Sequence, residues 1–267
     1  MIGFLFRDKA MTKYIGNKRS QQNPKRLKTL LEVIKDADLP ERPQPGSLEP
    51  ITAQTDAQKR YISAIKNYQL VFASGPAGTG KTWICGAMAA DAIRDKKIEK
   101  IIITRPTVEA GESMGFLPGE LEEKFEPFLR PFRDVLEERL GKTFTDYLIR
   151  IGKIEAAPIA YMRGRTFKDA IVILDEAQNT TQAQMKLFLT RIGKNCKVIV
   201  NGDINQKDIP GPSGLSDAIS RLGHIPSVRI VEFGRCDIVR SGLVQEIVEC
   251  YEKDLDTALY TSNLTRP

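Results

Sequence analysis

The amino-acid sequence predicts an α/β protein with a mostly parallel sheet and helices on both faces. Three observations carry this. Short runs that are apolar throughout recur along the chain, at Leu70–Ala73, within Lys100–Arg105, at Ile171–Leu174 and within Cys196–Val200. Such runs mark strands covered on both faces, as parallel sheets require. Segments with helical spacing of apolar residues stand between them. One of the runs passes directly into a glycine-rich loop and then a helix, in LVFASGPAGTGKTW at 70–83.

That stretch holds the first chemical motif. Gly75-Pro76-Ala77-Gly78-Thr79-Gly80-Lys81-Thr82 fits G-x-x-x-x-G-K-[ST] at every fixed position, between a strand and a helix that begins at Trp83. Gly75, Gly78 and Gly80 let the backbone turn its N–H groups toward an anion, and the helix N-terminus adds its positive dipole end. Lys81 is placed to reach the β- and γ-phosphates of a nucleotide, and the Thr82 hydroxyl to ligate Mg²⁺.

Composition sets the bounds. A chain of 267 residues has room for one α/β domain of ordinary size or two small ones. At 41% hydrophobic and 28% charged it is not globally disordered. The net charge of +6 and a pI near 9.1 favour an anionic partner, nucleic acid first, although a nucleotide-binding protein with a basic surface would look the same. Cys85, Cys196, Cys236 and Cys250 show no C-x-x-C spacing, and three of them read as buried thiols. No apolar run approaches membrane-spanning length and Met1–Phe6 is too short for a signal peptide, so the expectation is a cytoplasmic protein with no membrane partner.

In chain order, residues 1–50 form a basic segment with a short amphipathic helix around Leu27, Leu30, Leu31 and Ile34, ending in the proline-rich linker PERPQPGSLEP. Its charge suits a nucleic-acid arm and a solvated leader equally well. A single domain is expected over 51–258, with a tail at 259–267. Thr55-Asp-Ala-Gln58 opens a helix. The chemistry favours a capping box, with Gln58 folding back on the Thr55 N–H, over an amide reading adenine. Arg105-Pro106 ends the second strand, and the glycine-bearing loop 107–119 follows it. Residues 120–140 read as a charged helical region that Pro127 and Pro131 interrupt and bend, with Phe125, Phe128, Leu129 and Phe132 as core. A third strand is expected over Ile154–Ala160. It leads to Arg163-Gly-Arg165-Thr166, suited to a phosphate backbone or to a plainly hydrated loop.

The second chemical motif is AIVILDEAQ at 170–178. A buried strand ends in two acids. Asp175 is placed to hold Mg²⁺ through its water shell, opposite Thr82, and Glu176 to take a proton from an attacking water. Adjacent carboxylates at a strand end are otherwise usually solvated turn residues; a phosphate loop in the same chain favours the functional reading. Thr181-x-x-Gln184 caps the next helix. In Asn201-Gly-Asp-Ile-Asn-Gln206, Gln206 is the candidate γ-phosphate sensor. Pro210–Gly214 precedes a short helix, Val228–Phe233 is a last strand, and a final helix begins near Ser241. His224, the sole histidine, receives no catalytic role.

The series of motifs resembles the PhoH family of P-loop ATPases, which is similar in its core to superfamily 1 helicases. It runs from Gln58-Lys-Arg-Tyr61 through GPAGTGKT at 75–82, TRPTVEAG at 104–111, GFLPGEL at 115–121, AYMRGRT at 160–166 and ILDEAQNTT at 173–181. It continues with Gly202-Asp203 and Gln206, and ends in Asp237-Ile-Val-Arg240 with LVQEIV following. The resemblance spans roughly residues 50–252 in order. It implies a RecA-like P-loop NTPase fold, ATP as ligand with Mg²⁺, and hydrolysis. It implies that Gln58 contacts adenine, with Gly75–Trp83 holding the phosphates. Arg240 becomes a γ-phosphate contact, supplied in cis or by a neighbouring subunit of a ring-like homo-oligomer, a hexamer by analogy. RNA or single-stranded DNA becomes the expected partner, with Arg105, Arg163 and Arg165 as contacts. Ser241 and Asn201 depart from the family pattern, where histidine and threonine are usual. The accessory nuclease-like or KH domain of some relatives is not expected here. Two other functional classes stay open: a small-molecule kinase, for which no separate acceptor pocket or lid is visible, and a nucleotide-gated scaffold with slow turnover.

Overall fold

The computed structural model describes residues 46–106 and 121–239, with side chains from 129 onward in the helix that begins at Leu121. These residues belong to the unit Pro43–Pro267, one of two into which the chain divides. Residues 1–45 of the basic N-terminal segment, with the helix expected there, the loop after Pro106, Arg240, the helix expected from Ser241, Cys250 and the tail lie outside the described residues.

The elements run α1 (Asp56–Asn67), β1 (Leu70–Ser74), α2 (Lys81–Arg94), β2 (Lys100–Thr104), α3 (Leu121–Leu140), α4 (Lys142–Arg150), β3 (Ile154–Ala156), β4 (Ala170–Leu174), α5 (Gln182–Leu189), β5 (Cys196–Gly202), α6 (Gly214–Leu222) and β6 (Val228–Glu232). The strands form one six-stranded sheet in the order β3-β2-β4-β5-β1-β6, parallel at every pairing. This is the RecA-like arrangement, in which β5 stands between the phosphate-loop strand β1 and the acidic strand β4.

Strand periodicity explains the unbroken apolar runs. Successive side chains point to opposite faces. Val71, Ala73, Ile101, Ile103, Ile171, Ile173 and Ile199 pack on one side with Tyr61 and Ile65 of α1, Ile84 and Ala89 of α2, and Phe132 and Leu136 of α3. Leu70, Phe72, Ile102, Val172, Leu174, Val198 and Val200 pack on the other with Met162, Phe167, Phe188 of α5 and Leu215 of α6. A sheet sandwiched between two apolar layers has no polar face for alternation to report.

The structure corrects the expectations at two places. The helical region 120–140 is one helix, α3, running through Pro127 and Pro131. Proline in a helix interior costs about 3 kcal/mol. Buried Leu129, Phe132, Val135 and Leu136 offset that cost along this helix, and Pro131 itself faces solvent. The third strand stops at Ala156, because Pro158 removes a donor, and Ile159–Met162 continues as a 3₁₀ turn. Cys85 and Cys196 are buried while Cys236 is exposed. Burial pushes the Cys85 thiol up to about 12 and the Cys196 thiol to about 11, so both stay protonated. The Thr181 cap is as expected: its hydroxyl accepts from the Gln184 N–H at 3.2 Å and the Gln184 carbonyl oxygen accepts the Thr181 N–H at 2.9 Å.

Arg139 locks the stretch around Glu49 onto the sheet's helical layer. It is 3% exposed, forks onto Asp91 of α2 at 2.7–2.8 Å through Nη2, and donates to the Glu49 carbonyl at 2.6 Å. Among the described residues, no helix is long and apolar enough to cross a membrane.

Candidate nucleotide site at the strand ends

The C-terminal ends of β1, β4 and β5 meet at one place. A cavity of about 270 Å³ opens there, lined by the loop residues Gly75 and Ala77–Trp83, by Asp175, Glu176 and Gln178 after β4, and by Gly202, Asp203 and Gln206 after β5. A larger groove of about 790 Å³ lies at the other end of the strands, among Ile62, Met88, Ile98 and Lys197, and contains none of the candidate residues. Open parallel sheets bind ligands beyond their carboxyl ends, so the smaller cavity is the candidate site.

The loop has the shape its glycines allow. Gly75, Gly78 and Gly80 have φ of 147°, 81° and 81°. A Cβ on Gly75 would stand 2.3 Å from the Phe233 carbonyl oxygen, so only glycine admits this approach of β6 to the loop. Lys81 opens α2, where the free N–H groups of a first turn favour an anion. Its ammonium donates to the carbonyls of Gly75 and Pro76, both at 2.7 Å, and to Thr79 Oγ1 at 3.1 Å. All three N–H bonds are thereby used inside the loop. Burial pulls the Lys81 pKa down; nearby Asp203, Asp175 and Glu176 oppose this, and the net shift is downward. Trp83 sits at the rim, 38% exposed, and its indole N–H donates to Glu138 at 3.1 Å.

Gln58 braces this loop from below. Its Nε2 donates to the Thr79 carbonyl at 3.1 Å, its Oε1 accepts the Gln54 N–H at 2.7 Å, and its own N–H goes to Thr55 Oγ1 at 3.2 Å. The residue is 4% exposed. The cap at Thr55 is therefore half of the expected box: the amide reaches Gln54 rather than the Thr55 N–H, because its other end is held by the loop.

Asp175 and Glu176 part company although adjacent. Asp175 continues the sheet, its N–H donating to the Thr104 carbonyl at 2.9 Å, and is 4% exposed. Burial raises its pKa above the usual carboxylate range, against the pull of Arg105. Glu176 adopts a left-handed conformation, φ 53° and ψ 38°, uncommon for a residue with a Cβ, and its side chain is half exposed to the cavity. The Gln178 amide holds it, with Nε2 donating to Glu176 Oε2 at 2.7 Å. The same amide's Oε1 accepts the Asp203 N–H at 3.0 Å, which fixes which end faces the glutamate. A Cβ on Gly202 would lie 2.7 Å from Gln178 Oε1, so the glycine before Asp203 makes room for this bridge.

The three candidate nucleic-acid arginines are divided. Arg105 lies with its guanidinium on Asp175, at 2.5 Å from Nη2 and 3.1 Å from Nε. Arg165 pairs with Glu155, which Lys100 also contacts at 2.5 Å. Burial raises the Glu155 pKa, but these two cations outweigh it and the net shift is downward. Arg163 is exposed on the turn that follows Tyr161, itself 52% exposed.

Several contributors had no assigned role in the sequence. Gln178 lies inside the quoted LDEAQ run, and only the fold shows what it reaches. Asn201 accepts from the Tyr61 hydroxyl at 2.6 Å and donates to Cys85 at 3.3 Å, a fully buried polar trio behind the loop. The Val239 N–H donates to the Gly78 carbonyl at 2.9 Å, tying the chain just ahead of Arg240 to the phosphate loop.

Thr82 and Asp175 offer hard oxygen donors in one cavity, the set that fits Mg²⁺ together with nucleotide phosphates and water. Among the described residues, no group of three or more acidic, histidine or cysteine side chains forms a self-sufficient metal cage.

A parallel sheet with this loop on one strand and an acid pair two strands away defines a P-loop nucleotide-binding protein of the RecA-like class. The chain belongs to the PhoH family: the family model described as PhoH-like protein matches residues 50–252. It is 56% identical over 206 residues to Protein PhoH of Escherichia coli strain K12, covering 76% of this chain and 58% of that one. To the PhoH-like protein of Bacillus subtilis it is 52% identical over 205 residues, covering 76% and 64%. The chain thus spans about three-fifths of the length of the curated relatives it matches. Among solved structures it is similar to the UvsW helicase of bacteriophage T4, with TM-score 0.43 and 12% identity over 86% of this chain and 78% of that one. It is also similar to the Pif1 helicase of Candida albicans, with TM-score 0.40 and 14% identity over 81% and 48%.

Proposed function

We propose that this protein binds ATP with Mg²⁺, hydrolyses it, and couples hydrolysis to binding or remodelling of RNA or single-stranded DNA. The observation that carries the reading is the meeting of Lys81, Thr82, Asp175, Glu176 and Gln206 around a single cavity. Backbone N–H groups of the loop and Lys81 hold the phosphates. Thr82 and Asp175 hold the metal, which when bound offsets the negative charge of the phosphate oxygens. Glu176 accepts a proton from the attacking water, and Gln178 keeps its carboxylate in place. Gln206, exposed at the cavity, contacts the γ-phosphate. Arg163 and Arg165, with Tyr161 beside them, supply a polymer contact at the same end of the sheet.

Steady-state phosphate release with ATP and Mg²⁺ at low salt, with and without single-stranded RNA and DNA, tests this. Stimulation by one polymer, weakening as salt rises, is the expected result, because phosphate contacts release counterions. Turnover indifferent to both polymers, with assembly that tracks ATP, would replace the motor by a nucleotide-gated scaffold.

Gln178→Ala is expected to lower kcat by about 10- to 100-fold with little change in KM, since it frees the general base without touching the phosphate loop. A variant with unchanged kcat would remove the bridge from the mechanism. Arg240→Ala is expected to cut hydrolysis. Mixing its subunits with Lys81→Ala subunits in a homo-oligomer, a hexameric ring by family analogy, restores activity if the arginine acts in trans; no recovery assigns it to its own subunit or to no role.

A further inference from the structure

Arg105 holds an unusual position for a cation at a polyphosphate site. Two of its nitrogens converge on one oxygen, Asp175 Oδ2, and Nη2 lies 4.0 Å from Glu176 Oε1. Register explains the placement. β2 and β4 pair in parallel with Thr104 opposite Leu174, so the next residues, Arg105 and Asp175, leave the sheet side by side. A carboxylate that is 4% exposed needs a countercharge, and Arg105 is the cation that bonds to it directly. Arg105 itself is only partly covered, with 20% of its side chain exposed, so the guanidinium has a route to solvent that the aspartate lacks.

We propose that Arg105 is a place-holder for the divalent cation. It neutralises Asp175, and on binding of metal with nucleotide Asp175 would exchange the guanidinium for the metal's water shell. This rests on the reading of Asp175 as a metal-binding carboxylate. The exchange resembles what Lys81 must do, since that ammonium also trades bonds within the protein for bonds to phosphate. Arg105 acts through Asp175 and is a positioning residue. Its backbone carbonyl accepts the Ile159 N–H at 3.3 Å, so the released side chain stays anchored beside the turn that carries Tyr161 and Arg163. Loading the metal therefore adds a free positive charge to the face offered to the polymer.

Competition and co-orientation differ in sign. If the guanidinium and the metal exclude each other at Asp175, removing the guanidinium tightens metal binding. If Arg105 stays on Oδ2 and aims Asp175 at the metal, removing it weakens metal binding.

The test is Mn²⁺ binding to the full chain in saturating ADP, read by loss of the free-ion electron paramagnetic resonance signal. Charge-assisted hydrogen bonds are worth about 1.5–3 kcal/mol, so Arg105→Ala is expected to tighten Mn²⁺ by about tenfold or more. Arg105→Lys, which keeps the charge but loses the fork, is expected to fall between it and the natural protein. It also covers the case in which the alanine variant does not fold. Mn²⁺ should raise the thermal midpoint of either variant by more than that of the natural protein. Unchanged or weaker Mn²⁺ binding in a folded variant overturns the exchange. Asp175→Asn separates the two ideas: if it binds Mn²⁺ normally, Asp175 is not a metal ligand, and the metal reading fails first.

Discussion

Lys81→Ala is expected to weaken ATP and ADP binding by at least about 100-fold, from the loss of two or more charge-assisted hydrogen bonds to phosphate at about 1.5–3 kcal/mol each. Calorimetric titration of each nucleotide measures it, and unaltered affinity would dismantle the site. The structure adds a second source of loss. The ammonium bonds to Gly75, Pro76 and Thr79, so it also holds the cradle in shape. Lys81→Ala should therefore lower the thermal midpoint as well as the affinity. Lys81→Arg keeps a charge that does not titrate below pH 12 and separates the two effects.

The same lysine sets a pH dependence. Burial lowers its pKa, and a bound phosphate would favour the charged form and raise it again. Binding is thus expected at full strength below that lowered pKa and declines as pH rises through it, starting below the ordinary lysine value of about 10.4. Lys81→Arg should bind with no such decline in that range. A natural protein whose affinity is flat through it would mean that Lys81 makes no contact with the phosphates.

The sheet was legible in the sequence because its strands are buried on both sides. Runs such as Ile171–Leu174 need no knowledge of partners to be seen, and the helix caps at Thr55 and Thr181 carry their own local signals. Their order in the sheet is a long-range property. Nothing in KIIIT or IVIL says that β2 lies between β3 and β4, yet that pairing is what puts Arg105 on Asp175. An arginine after a strand reads as a cation free to meet an anion from outside, because its partner stands 70 positions away. Gln178 was hidden for a similar reason: its two partners are the acid two positions before it and a backbone N–H 25 positions on. Residues whose chemistry follows from their own type and neighbours, such as Lys81 and Asp175, can be located by motif. Those that act by holding others cannot. The α3 prolines show the reverse error, a local rule overridden by packing along the rest of the helix.

Glu176→Gln is expected to bind ATP about as well as the natural protein yet lower its turnover by about 10²- to 10⁴-fold, the range for removing a positioned general base. The geometry favours a clean result. Glu176 is half exposed and takes no part in the phosphate loop, so its replacement leaves the binding groups untouched. Its left-handed backbone is held by the surrounding turn, where the Asn179 N–H donates to the Glu176 carbonyl at 3.0 Å, and a glutamine of the same shape can occupy it. The glutamine can still accept from Gln178 through its carbonyl oxygen, so the bridge to Asp203 survives while the proton acceptor is lost. Trapped ATP after rapid gel filtration, with phosphate release near background, would place Glu176 at the chemical step. Near-normal turnover would remove it from that role, and attention would shift to Asp203, the other buried carboxylate at the cavity. The pair of measurements also separates the motor from the scaffold. A scaffold driven by binding alone assembles as readily with Glu176→Gln as with the natural residue, whereas a motor that cannot hydrolyse stays locked on its polymer in the ATP state.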